Sequence, residues 1–150
     1  MLLFADDCLL LASGPSEIVD IGTVILVRSA LGVPYKWNKF RGGLVVQWIG
    51  YEIDWEKGLL GISEKRAAWL VDWLTSKVTE EVVDLADLSA VVGRLGFATG
   101  PLEFVRPFLA PVYAWVAAMG HRGRARLPWS LAFLFKFLAD KWSGDQRLCS

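Results

Sequence analysis

At Ser63 the apolar residues change period from two to 3.6, and no single element can satisfy both patterns. Upstream, Leu44–Asp54 and Leu59–Ile62 read as strands joined by the turn Trp55-Glu56-Lys57-Gly58. Downstream, Ala67, Leu70, Val71 and Leu74 follow the i, i+3, i+4, i+7 spacing of a helix, with Trp69 and Trp73 alongside. Ser63 suits the N-cap of that helix. The chain is therefore expected to be α+β, with a boundary near residue 62. Residues 1–62 form two β-hairpins with a packed helix, and residues 63–150 form an all-helical unit.

The first half begins with an apolar run that Asp6 and Asp7 interrupt. Carboxylates enter apolar surroundings only when something pairs or ligates them. A tight hairpin with strands at about 2–5 and 8–12 places both at its tip, where a hard divalent cation can collect them. Cys8 reads as a small buried hydrophobe. Gly14-Pro15-Ser16 is a turn, and a helix over about 16–31 follows, closed by Gly32 in a left-handed conformation. Its apolar face, with Val19, Val24, Ile25, Val27 and Leu31, is broad, as for a helix lying on a sheet. Val33–Trp37 reads as extended, and Arg41-Gly42-Gly43 as a turn.

In the second half, a helix at about 85–98 buries Leu85, Leu88, Val92 and Leu95, and Gly100 or Pro101 ends it. Pro107 and Pro111 divide 101–119 into a short helix and a second one from Pro111 to Met119. A last helix, about 129–142, carries Phe133, Phe137 and Trp142. Trp69 and Trp73 are expected to pack between helices.

Eight Trp and eight Phe in a chain that is 54% hydrophobic imply surfaces that meet a partner or another part of the polypeptide. No run reaches the ~18 apolar residues of a membrane span, and no signal peptide is visible, so an intracellular protein with no membrane contact is expected. Cys8 and Cys149 alone make no disulfide or metal framework, and His121 has no Cys or His at ligand spacing. The formal net charge of zero gives no global field for nucleic acid. Local basic clusters do occur, at Lys36, Lys39 and Arg41 and at Arg122, Arg124 and Arg126, the second read as a short basic loop able to contact a duplex.

An Asp pair at a hairpin has a bland alternative, the capping of a solvated turn. A receiver domain also sets an Asp pair after its first strand, but it needs repeated strand–helix units that the second half lacks. The ordered set decides the matter. Phe4-Ala5-Asp6-Asp7, the following helix, Trp37-Asn38-Lys39 and Trp48-Ile49-Gly50-Tyr51-Glu52-Ile53 together resemble the last part of a reverse transcriptase palm. Residues 63–118, with Leu88–Leu95 and Arg106–Tyr113, are similar to the thumb and connector of retrotransposon-type enzymes. The resemblance implies a partial polymerase palm followed by a helical thumb, from an RNA-directed DNA polymerase that transfers nucleotides to a primer 3′-hydroxyl by two-metal catalysis.

The resemblance also assigns roles. Asp6 becomes the direct Mg²⁺ ligand, with Mn²⁺ as a substitute metal, and Asp7 its supporting partner. Lys39 becomes the lysine near the pyrophosphate leaving group, with Lys36 as the fallback. Trp48, Gly50 and Tyr51 form the primer grip, and Lys36, Lys65, Arg66 and Arg94 contact template or primer phosphates. The partners implied are primer-template nucleic acid, dNTP and a fingers and upper-palm segment. An earlier metal-binding aspartate and the nucleotide pocket have no counterpart here, so the isolated chain is expected to be inactive. The alternative is a noncatalytic helical protein-interaction module or a domesticated remnant.

Overall fold

A short antiparallel pair opens the chain: β1 (Leu2–Phe4) faces β2 (Asp7–Leu9), with Phe4 opposite Asp7. The computed structural model describes residues 1–4, 7–120 and 122–149. Helix α1 (Glu17–Ala30) follows. It ends as the glycine signal predicts: Gly32 takes φ +80°, its N–H donates to Ser29 O, and Val33 N–H donates to Arg28 O. These two bonds satisfy carbonyls that a helix end otherwise leaves orphaned. No residue of α1 is buried, so it is not the sheet-covered helix its apolar content suggests. Cys8 is only half-buried and accepts a bond from Arg28 Nη1 at 3.2 Å.

The segment expected to be one strand over Leu44–Asp54 is two: β3 (Val45–Trp48) and β4 (Tyr51–Asp54), paired with Trp48 opposite Tyr51. Ile49 and Gly50 fill the two-residue turn with φ of +46° and +92°. Positive φ at both central positions is the type I′ arrangement, whose twist matches the paired strands. The turn 55–58 then leads to β5 (Leu59–Ile62). It is held by Asp54, whose carboxylate accepts from Lys57 N–H at 2.9 Å.

Helices α2 (Glu64–Glu80), α3 (Leu85–Ala98), α4 (Ala110–Met119) and α5 (Trp129–Lys141) build the core, with 3₁₀ turns at Glu103–Leu109 and Gly144–Arg147. Leu74, Leu88, Leu95, Val105, Val112, Phe135, Leu138 and Trp142 are fully buried in one cluster. Each such side chain contributes roughly 1.5–3 kcal/mol of apolar burial. Helix α2 packs along α5, with Trp73 tilted against Phe135. Ser63 stands at the start of α2, but its hydroxyl makes no capping bond; its backbone oxygen accepts from Arg66 and Ala67 instead. Asp84 is a true cap for α3, accepting from the N–H groups of Ala86 and Asp87. Phe133 on α5 is 71% exposed.

The helical half also carries strands. β6 (Val82–Asp84) pairs with β7 (Arg124–Arg126), so the basic loop expected there is in part a strand. β8 (Leu148–Cys149) returns to β5 and completes the sheet order β3-β4-β5-β8. Runs of two or three residues are too short to leave a period in the sequence. Among the described residues, no helix is long and apolar enough to cross a membrane. The fold class is α+β, with small antiparallel sheets beside a helical core.

Candidate nucleic-acid interface

The tip of the β3–β4 hairpin is built against the start of α2. Gly50 O accepts from Ser63 N–H at 3.0 Å, which fixes the turn to the helix. A Cβ at Gly50 would collide with the guanidinium of Arg66, so glycine serves both the positive φ and the close approach. Arg66 Cζ in turn lies 4.8 Å from the centre of the Phe97 ring on α3. Tyr51 stacks on the other participant of this contact: its ring lies 4.3 Å from that of Phe97 at 12° between planes, and its hydroxyl donates to Phe97 O at 3.1 Å. Burial raises the Tyr51 phenol above its ordinary pKa, and the neighbouring Arg66 charge pulls the other way.

A second contact of the same kind lies along the α2–α3 seam. Arg94, on α3, places its guanidinium 4.3 Å from the ring centre of Trp69, on α2. Arg66 and Trp69 are one turn apart on α2, as Arg94 and Phe97 are on α3, so each helix supplies one cation and one ring. Further along, Trp73 Nε1 donates to Asp87 at 3.0 Å and Lys77 lies near the Trp73 ring. Trp69 is therefore a half-exposed platform for Arg94 and not a residue enclosed between helices. Lys65, Arg66 and Arg94 are exposed, and among the described residues none has a carboxylate partner. Guanidiniums fixed on ring faces retain in-plane N–H groups for phosphate oxygens. The expectation named the arginines but missed Phe97 and the pairing role of Trp69. The i, i+3 spacing of Arg66/Trp69 and Arg94/Phe97 was the available signal.

Of the other expected residues, Trp48 faces Tyr51 across the same hairpin, and the rest lie elsewhere on the chain. Trp48 is half-buried at the end of β3, with its indole N–H enclosed and unpartnered among the described residues. Lys36 precedes the 3₁₀ turn Trp37–Lys39 and Lys39 ends it, both exposed, with Lys39 N–H donating to Lys36 O. Asp7 is exposed at the start of β2, and Asp6 lies outside the described residues, as does His121. Asp7 offers the hard oxygen donors that Mg²⁺ takes. Among the described residues, however, no three His, Cys, Asp or Glu side chains come together, and one described carboxylate is short of a two-metal set. What these residues present is a set of fixed cations and ring surfaces beside a hairpin tip.

Comparison with family models, curated proteins and solved structures gave no match for this chain.

Proposed function

We propose that this chain is the C-terminal palm and thumb portion of a retrotransposon-type RNA-directed DNA polymerase, and that it holds the primer-template backbone. The observation that carries the reading is the union of hairpin tip and helices: Gly50 and Tyr51 meet Arg66 and Phe97 where β4 and α2 converge. A polymerase needs such a junction to hold a primer end in register with a duplex-gripping surface, because displacement of about 1 Å costs on the order of 10²-fold in rate. The order of elements supports it: an antiparallel strand pair whose second strand begins at Asp7, a helix, the lysine-bearing turn, a second hairpin, then helices.

Under this reading the complete protein transfers nucleotides to a primer 3′-hydroxyl. Asp6 and Asp7 are then two of its Mg²⁺ carboxylates, Lys39 faces the leaving group, and Trp48, Gly50 and Tyr51 form the primer grip. Lys36, Lys65, Arg66 and Arg94 bind phosphate, and an intracellular setting goes with this activity. The chain by itself binds and does not polymerise.

Fluorescence anisotropy with a labelled primer-template duplex tests the binding. Arg66→Gln and Arg94→Gln are each expected to weaken binding and to flatten the log K against log salt slope by about 0.9 per lost phosphate contact. An unchanged slope in both variants refutes the interface. Joining the chain to an upstream fingers and palm segment should restore primer extension with Mg²⁺, and Asp6→Asn should abolish it.

A noncatalytic protein-interaction module is the second reading, and one feature favours it. Trp129 and Phe133, one turn apart on α5, are 84% and 71% exposed beside a cleft of about 620 Å³. That reading predicts duplex binding indifferent to Arg66 and Arg94.

A further inference from the structure

We propose that the turn spanning Tyr35–Arg41 is a stacking platform for unpaired bases of single-stranded nucleic acid. Aromatic and basic residues interleave here as Tyr35, Lys36, Trp37, Lys39, Phe40 and Arg41. The three rings form one cluster. Trp37 and Phe40 are stacked at 5.1 Å with 18° between planes, and Tyr35 lies 5.3 Å from Trp37 and 5.4 Å from Phe40. None of the three belongs to the buried core, and Trp37 is 63% exposed. These are held in solvent by a 3₁₀ turn whose backbone bonds run from Lys39 N–H to Lys36 O and from Phe40 N–H to Trp37 O.

The charge around the rings points to the ligand. Between Asp20 and Glu52 the chain has no acidic residue and four bases, Arg28, Lys36, Lys39 and Arg41, in a protein of zero formal net charge. Arg28 lies 5.7 Å from the Tyr35 ring centre. Arg41 donates to the carbonyls of Asn38 and Phe40 and so stays folded against the turn. Among the described residues none of these four cations has a carboxylate partner. A ligand that fits must present flat π-faces and negative charge at regular short intervals. An unpaired nucleic-acid strand does both, since every base has a face to stack and every nucleotide a phosphate. A duplex hides its base faces, and an anionic lipid surface has phosphate but no ring to stack.

This surface is separate from the α2–α3 seam and does not rest on the polymerase reading; duplex binding through Arg66 and Arg94 can fail while single-strand binding through Trp37 persists. The test is anisotropy on the full chain with labelled, unstructured oligouridylate and oligothymidylate, and with abasic oligonucleotides of equal length. Wild-type protein should bind the base-bearing strands, RNA and DNA alike, roughly tenfold or more tighter than the abasic ones. Trp37→Ala should bind both kinds equally and weakly, and Trp37→Phe should recover most of the difference. Lys36→Gln should flatten the salt slope by about 0.7 while keeping the base-dependent advantage. Equal affinity of wild-type protein for base-bearing and abasic strands overturns the proposal without recourse to any variant. Two other results also overturn it: full affinity in Trp37→Ala, and a Trp37→Ala loss confined to phosphatidylserine vesicles.

Discussion

Removal of Arg147 should cost this protein a large share of its stability, because that one side chain fastens the end of the chain to the hairpin sheet. Its Nη2 pairs with Glu52 Oε1 at 2.9 Å, and its Nη1 donates to Ile62 O at 2.8 Å. The side chains are 10% and 14% exposed, so water screens the pair little. At an effective dielectric of about 20, charges at this separation attract by roughly 6 kcal/mol, and desolvation offsets much of that. Removing Arg147 leaves the Glu52 carboxylate largely buried with no countercharge and only a 3.4 Å bond from the Gln47 amide, which costs on the order of 3–5 kcal/mol. Arg147→Met should therefore lower the unfolding free energy by about that amount, against a typical domain total of about 5–15 kcal/mol.

Urea unfolding followed by far-UV circular dichroism measures the loss as a shift in midpoint. The double variant Glu52→Gln/Arg147→Met should lose markedly less than the sum of its singles, since with both charges removed neither is stranded. Gly61→Ala offers an independent route to the same contact. A Cβ there would strike the Arg147 carbonyl, so β8 must leave β5. If Arg147→Met unfolds within about 0.5 kcal/mol of wild type, the range of ordinary surface changes, or if the two single losses simply add, the pair does not fasten the sheet and the reasoning fails.

Two further outcomes follow from the seam and from α3. Burial raises the Tyr51 phenol above its usual pKa of 10.0, so the folded state holds that proton more tightly than the unfolded chain does. Its stabilising contribution is full below pH 10 and is lost as pH rises through the folded value. Arg66 opposes the shift, so Arg66→Gln should move the phenolate absorbance of Tyr51 to still higher pH; a move downward would contradict the geometry. Asp84→Ala removes an oxygen that accepts from two N–H groups at the start of α3, and should cost about 1 kcal/mol in the same urea assay. A loss below a few tenths would mean that water replaces the cap.

The parts of this fold that were legible in the sequence are those whose order is local. Helices α2 to α5 announce themselves through apolar periodicity and through Pro101, Pro107 and Pro111, and for that reason the bounds of α3, α4 and α5 lie within a residue of expectation, as does the start of α2. The left-handed close of α1 at Gly32 was legible for the same reason. What escaped depends on partners distant in sequence. β6 and β7 exist because residues 82–84 and 124–126 meet, and β8 because Arg147 reaches Glu52 across 95 positions. Strand patterning alone did not mark the turn at Ile49-Gly50, because a β-branched residue at positive φ is a rare choice, tolerated here with Gly50 beside it and Ser63 N–H on the Gly50 carbonyl. Hydropathy marks α1 as apolar but cannot say what it packs on, and among the described residues its face stays open.

The candidate site divides along the same line. Residue type alone picked out Arg66 and Arg94 as cations, yet a lone exposed arginine is ordinarily a solvated one. What separates these two is that each lies on a ring supplied by the other helix, Phe97 for Arg66 and Trp69 for Arg94. A flexible cation must give up rotamer freedom to hold a phosphate, and one already fixed on a ring has less to lose. Trp69 should therefore behave as a positioning residue. Trp69→Leu keeps apolar cover on α2 while removing the ring face beneath Arg94. It should weaken duplex binding to about the level of Arg94→Gln, and Arg94→Gln added to it should change little further. Full additivity of the two substitutions would mean that the ring and the cation act apart, and that the seam is a packing feature on which the arginine merely rests.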